Sequence, residues 1–247
     1  MEKKIHLFAN WKMYLGDKES VLLAKKYAKL KYPKNCSVAV FPSAIAFKEV
    51  AGVLKRSKLA LGAQNTFWAD KGGYTGEVSA TTYKELGAGF ALVGHAERRH
   101  IFHETNHDTR LKIDAVLQLG LTPVLCVGET DKEHKAGETD EVLEAQLRAV
   151  FMDRVWPKNI TPIIAYEPVW AIGTGASCDH KEAERVAALI TGWTEKLIGV
   201  VPVILYGGSV RGENIGHYLS QKNISGVLVG GASAKLDTWT DLVTHLS

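Results

Sequence analysis

The chain has 247 residues, 46% of them hydrophobic, and a net charge of +3, which allows a large core and argues against a nucleic-acid surface. No run of about 20 apolar residues occurs and the apolar stretch near the N-terminus is too short for a signal-peptide core, so a cytoplasmic protein without a membrane span is expected. Cys36, Cys126 and Cys178 are odd in number, widely separated and free of any CxxC spacing, which predicts reduced thiols and no structural zinc.

Short β-branched or apolar runs recur at 5–9, 37–41, 59–63, 90–93, 122–127, 162–165, 203–206 and 226–229. Each reads as a strand. Between them lie segments with apolar residues at helical spacing, notably 18–30, 106–119, 141–155 and 181–197. Gly120 follows one of these and Asp179 precedes another, as helix-ending and helix-capping residues do. The span 132–141, rich in both charge signs, reads as a solvated loop and helix start. Strict alternation of strand and helix implies a parallel sheet, and eight units in about 250 residues is the count of a closed (β/α)8 barrel. An open doubly wound sheet is the alternative. With no composition break and no Pro, Gly or Ser-rich linker, the expectation is one catalytic domain over 1–247.

A barrel of this kind carries its functional residues where the strands end. Asn10 and Lys12 follow the first strand, His95 and Glu97 the fourth, Glu167 the sixth, Ser209 the seventh, and Gly230 and Gly231 the eighth. The stretch AYEPVWAIGTG at 165–175 is the most distinctive. Glu167 stands where an apolar strand runs out, and Pro168 biases it toward an extended backbone. Trp170, Ala171 and Ile172 are too apolar for an ordinary exposed loop, while Gly173 and Gly175 allow a close approach to a ligand. The pattern is that of a carboxylate base with a lid.

The clusters YGGS at 206–209 and VGGAS at 229–233 each read as strand, glycine turn and helix start, a place where main-chain amides bind phosphate. Lys12 can steady a phosphate or a developing oxyanion, and His95 and Asn10 can donate to a carbonyl or enediolate oxygen. A carboxylate base, a histidine donor, a lysine and a phosphate cradle, with no metal, define proton abstraction beside a carbonyl in a phosphorylated sugar. A glutamate in water is a weak base for a carbon acid, and an apolar cover that excludes water strengthens each interaction with the enolate. His100, His103 and His107 imitate a metal-site spacing, but no carboxylate or cysteine completes it. Cys126 reads as packed rather than nucleophilic.

Taken together, FANWKM at 8–13, AQN at 63–65, GYTGE at 73–77, GHAERR at 94–99, CVGE at 126–129, AYEPVWAIGTG at 165–175, YGGSV at 206–210 and LVGGAS at 228–233 resemble the triosephosphate isomerase family over essentially the whole chain. The resemblance implies interconversion of dihydroxyacetone phosphate and glyceraldehyde 3-phosphate. Glu167 would be the base, His95 the electrophile, and Lys12 and Asn10 the stabilisers of the enediolate. Gly173, Ser209, Gly230 and Gly231 would hold the phosphate, with Tyr206 in support. Glu97 would pair with Lys12, and Glu129 would anchor Trp170 when the lid is shut. A homodimer is implied, in which the loop 67–77 presents Thr75 to the partner's site. Two positions depart from the family pattern: Ala96 stands where a serine is usual, and Ala176 where the lid's second hinge usually begins with lysine.

Two other readings fit parts of the pattern. Lys12 could form a Schiff base in an aldolase-type lyase if it were desolvated, and a binding relative could keep the phosphate cradle without the chemistry.

Overall fold

Each apolar run is flanked by residues that end it and is apolar on both faces, the composition of a parallel strand covered on both sides. In the computed structural model, which describes residues 3–173 and 177–246, these runs form β1 Ile5–Asn10, β2 Cys36–Phe41, β3 Ala60–Ala63, β4 Phe90–Val93, β5 Thr122–Val127, β6 Ile163–Tyr166, β7 Val203–Tyr206 and β8 Ile224–Val229. Every neighbouring pair is parallel, and β1 closes on β8 through His6↔Gly226, Leu7↔Val227, Phe8↔Leu228 and Ala9↔Val229. The result is a closed barrel in chain order. That closure excludes the open doubly wound sheet.

β4, β5 and β7 have the expected boundaries, and the other strands are displaced by one or two residues, most at β8, where Ser225 and Gly226 interrupt the apolar run that starts at Ile224. The helix expected at 141–155 is Thr139–Phe151. It ends early because Met152 is extended and Asp153 takes a left-handed φ of 56°. The span expected as a charged loop contains a short helix, Asp131–Ala136. Thr130 accepts from the Glu133 amide while the Glu133 carboxylate accepts from the Thr130 amide, and this reciprocal cap outweighs the polar composition. Gly120 and Asp179 end and begin helices as read: Gly120 has φ 66°, and the Asp179 carboxylate accepts from the Lys181 and Glu182 amides.

Alternation along the strands sorts the core into two layers. Phe8, Phe41, Leu92, Val124, Ile163, Leu205 and Leu228 fill the barrel. Leu7, Val40, Leu125, Ile164, Ile204 and Val227 pack outward against the helices. Gly62 makes room for the interior ring of Phe41, since a Cβ there would lie 2.2 Å from it. At about 1.5–3 kcal/mol for each fully buried large side chain, these layers carry the fold. The strand ends above them are left free to hold polar groups on one rim.

Candidate active site

The rim begins with a strained turn. Lys12 has φ 47°, a conformation that costs a non-glycine residue about 1–3 kcal/mol. Three hydrogen bonds hold it there: the Lys12 amide donates to Asn10 Oδ1 at 3.0 Å, and Gln64 Nε2 donates to the carbonyls of Lys12 and Phe41, each at 2.8 Å. The turn sends the Lys12 ammonium to Glu97 Oε1 at 2.7 Å. This ion pair occupies Lys12 as a cation, which argues against the Schiff-base reading.

After β4, His95 caps the short helix Ala96–His100. Its Nδ1 accepts from the Glu97 amide at 3.2 Å, so the ring proton sits on Nε2. Nε2 lies 3.1 Å from Glu167 Oε1. Arg99 steadies the approach to this helix, donating from Nε to the Gly94 carbonyl at 2.7 Å and from Nη1 to Asn106 Oδ1 at 2.6 Å.

Glu167 follows β6 and is only 2% exposed. Its amide donates to the Val127 carbonyl at 2.8 Å, continuing the ladder to β5. Its Oε2 accepts from the Ala96 amide at 2.8 Å. Two glycines make this position accessible. A Cβ on Gly128 would lie 1.8 Å from the Glu167 carbonyl oxygen, and one on Gly207 would lie 2.8 Å from Glu167 Cγ.

The loop that leaves Glu167 is fastened at both described ends. Trp170 Nε1 donates to Glu129 Oε1 at 2.9 Å, and Tyr166 donates to the same oxygen at 3.1 Å. At the other end the Cys178 amide donates to the Tyr206 hydroxyl at 3.1 Å, and Tyr218 donates to the Cys178 carbonyl at 2.7 Å. Burial, with Glu129 adding to it, pushes the Tyr166 hydroxyl pKa far up, and burial does the same for Tyr206. Both remain protonated. Thr174 and Gly175 at the expected lid tip, and Ala176 at its hinge, lie outside the described residues.

Asn10, Lys12, His95, Glu167, Gly173, Ser209, Gly230 and Gly231 all line one cavity of about 280 Å³, small even for a metabolite site. The phosphate cradle differs in detail from expectation. The helix after β7 starts only at Gly212, and β8 is followed by a four-residue 3-10 turn, Gly231–Ala234. Local amides rather than a helix macrodipole would therefore meet an anion. Thr75 does not line this cavity and is exposed at the tip of its loop. Tyr14 and Arg211 line it too, although nothing in their immediate sequence marks them, and so does Ile172, one of the apolar residues read as a cover. Gln64, which braces Lys12, was visible only as part of the AQN motif. Cys126 is fully buried and burial pushes its thiol pKa well up, as expected of a packed side chain. Among the described residues, no three His, Cys, Asp or Glu side chains converge as metal ligands, and no helix is long and apolar enough to cross a membrane.

A family model described as Triosephosphate isomerase matches residues 5–246. The chain is 39% identical to the triosephosphate isomerase of Trichodesmium erythraeum over 249 residues, covering 98% of this chain and 99% of the relative. It is 40% identical to that of Hydrogenovibrio crunogenus, covering 95% of each chain. The corresponding protein of Caldanaerobacter subterraneus is 38% identical, with 96% of this chain and 97% of the relative covered.

Proposed function

The chain belongs to the triosephosphate isomerase family, and from that premise we propose that it interconverts dihydroxyacetone phosphate and D-glyceraldehyde 3-phosphate through an enediolate, the barrel acting as one catalytic domain. The observation that carries the assignment of roles is the pairing of a buried carboxylate with an imidazole N–H: Glu167 Oε1 lies 3.1 Å from His95 Nε2 in a cavity that also holds Lys12. Glu167 removes the proton from the carbon beside the carbonyl and returns it to the neighbouring carbon. The His95 Nε2–H and the Asn10 amide donate to the two substrate oxygens, and one proton passes between those oxygens, so that carbonyl and hydroxyl exchange places. Lys12 offsets the charge on the enediolate and on the phosphate. The phosphate lies against the backbone of Gly173, Ser209, Gly230 and Gly231.

Trp170 and Ile172 supply an apolar cover that excludes water from the enediolate, with the Glu129 bond to Trp170 and the Tyr206 bond to Cys178 fixing where the cover begins and ends. No step calls for a cofactor. A homodimer is supported by the loop 67–77 with Thr75 exposed at its tip, and by a recess beside Lys12 lined by Met13, Glu97 and Phe102. Met13 is 94% and Phe102 63% exposed in the isolated chain, so a partner's loop would cover apolar surface there. The cytoplasm is the proposed location.

Isomerisation of glyceraldehyde 3-phosphate, coupled to a dehydrogenase that consumes dihydroxyacetone phosphate, tests the reaction. Glu167→Asp withdraws the carboxylate by one methylene, and a base displaced by about 1 Å loses roughly a hundredfold in kcat. An inactive wild type that still binds a phosphate-bearing inhibitor would favour the binding relative instead.

A further inference from the structure

His134 lies outside the cavity, on the short helix Asp131–Ala136, with its side chain 36% exposed and its Nδ1 buried. Its ring stacks on the indole of Trp170, with centroids 4.5 Å apart and planes 24° from parallel. Its Nδ1 is 3.4 Å from Glu129 Oε1, the oxygen that accepts from Trp170 and Tyr166. Glu129 is fully buried, and its second oxygen has no hydrogen-bond partner among the described residues. On the same helix Lys135 pairs with Asp131 at 2.6 Å, and the Glu133 carboxylate caps Thr130. His134 is therefore the side chain that both covers the indole face and approaches the carboxylate that the indole edge binds.

We propose that His134 is a positioning residue for the loop after β6: its ring clamps Trp170 in the orientation that bonds Glu129, and thereby fixes the start of the segment that brings Ile172 and Gly173 to the cavity. The stacked face restrains the indole, because turning Trp170 away from Glu129 must first break that contact. The helix that carries His134 is itself set by the Thr130 and Glu133 cap. Glu129, His134 and Trp170 thus join the end of β5 to the loop after β6. The effect on turnover rests on the isomerase reading; the clamp itself does not.

The full-length protein labelled with 5-fluorotryptophan gives a fluorine NMR signal for each of its 6 tryptophans, and Trp170→Phe identifies the one that matters. In His134→Ala the Trp170 signal loses its ring-current shift while the other tryptophan signals stay in place, and kcat/KM for the isomerisation falls by about three- to tenfold, the scale of one stacked contact. In His134→Phe, which keeps a ring but cannot carry charge, a ring-current shift persists and most of the activity returns. An unmoved Trp170 signal in His134→Ala overturns the clamp. A moved signal with unchanged kcat/KM overturns the positioning role, as does failure of the phenylalanine variant to restore what alanine loses. An inactive wild type would overturn the isomerase reading instead, and the fluorine signals would still decide the clamp.

Discussion

The main-chain amide of Ala96 donates to Glu167 Oε2 at 2.8 Å, so the carboxylate of the proposed base is fixed even though residue 96 carries no hydroxyl. The departure from the family pattern at this position therefore removes one donor and leaves another. The remaining oxygen faces His95 Nε2 at 3.1 Å.

Restoring a hydroxyl should deepen this resting arrangement. In Ala96→Ser a second donor to Glu167 Oε2 stabilises the carboxylate where it stands by about 1 kcal/mol, which corresponds to a fall of roughly fivefold in kcat. The fold tolerates one added oxygen, so the unfolding midpoint stays near the wild-type value. Equal steady-state kinetics in the two proteins would remove the idea that residue 96 tunes the base.

Two glycines touch Glu167 from different directions, and their alanine variants should fail differently. At Gly128 a Cβ would lie 1.8 Å from the Glu167 carbonyl oxygen, a backbone atom held in the β5 to β6 ladder. Neither side can yield cheaply, so Gly128→Ala loses about 1–3 kcal/mol of stability or more. At Gly207 the added Cβ meets Glu167 Cγ at 2.8 Å and the Tyr166 carbonyl oxygen at 3.2 Å, so the backbone need give by only a few tenths of an ångström while the side chain moves. Gly207→Ala accordingly keeps most of its stability and loses activity as the carboxylate is displaced, on the scale of roughly a hundredfold for about 1 Å. Denaturant unfolding beside the coupled assay separates the two, and equal stability losses would contradict the distinction.

The barrel was legible because eight apolar runs alternate with helical spacing, and strand ends in a parallel barrel share one rim. Asn10, Lys12, His95, Glu167 and the two glycine pairs follow from that rule together with their chemistry. Tyr14 and Arg211 reach the same cavity from residues with no local signature, since a tyrosine or arginine in a loop is ordinary until closure fixes which way it faces. Gln64 is similar: its work is to brace the strained backbone of Lys12, and strain at Lys12 is a property of φ that no residue type announces. The helix at Asp131–Ala136 was missed for another reason. Its Thr130 and Glu133 cap was readable, but a charged surface span without apolar periodicity reads as loop, and the local hydrogen bonds decided otherwise.

Low pH should weaken the fold through His6. This residue is buried at the amino end of β1, with its ring edge-on to Phe8, and its Nδ1 finds no hydrogen-bond partner among the described residues. Burial, with Lys4 adding to it, lowers its pKa from 6.5 to about 4. The unfolded chain takes up a proton near 6.5, whereas the folded one does not until about 4, so between those values the unfolded state binds more protons. Stability is then flat above the upper value and falls as pH drops through the window, by about 2–3 kcal/mol at its lower end. Urea unfolding of wild type and His6→Gln near neutrality and again at about pH 5 checks this, with the variant losing less stability on acidification by roughly 1–2 kcal/mol. Parallel losses in the two proteins would exclude His6 as the cause.

The described end of the loop at Cys178 is held by two tyrosines whose rings stack 4.0 Å apart and 13° from parallel. Tyr206 accepts from the Cys178 amide and Tyr218 donates to the Cys178 carbonyl, so both bonds act on one residue. Tyr206→Phe leaves the amide without its acceptor, Tyr218→Phe leaves the carbonyl without its donor, and each retains the stack. Either change frees the exit of the loop, and each lowers kcat/KM by about three- to tenfold, the worth of one neutral hydrogen bond. Once one bond is gone the other holds Cys178 less well, so the double variant loses less than the product of the single losses. The coupling between two groups that share a partner is about 0.5–1 kcal/mol in a double-mutant cycle. Strict multiplication of the two losses would mean that the tyrosines act on the loop independently and that Cys178 is not their common point of attachment.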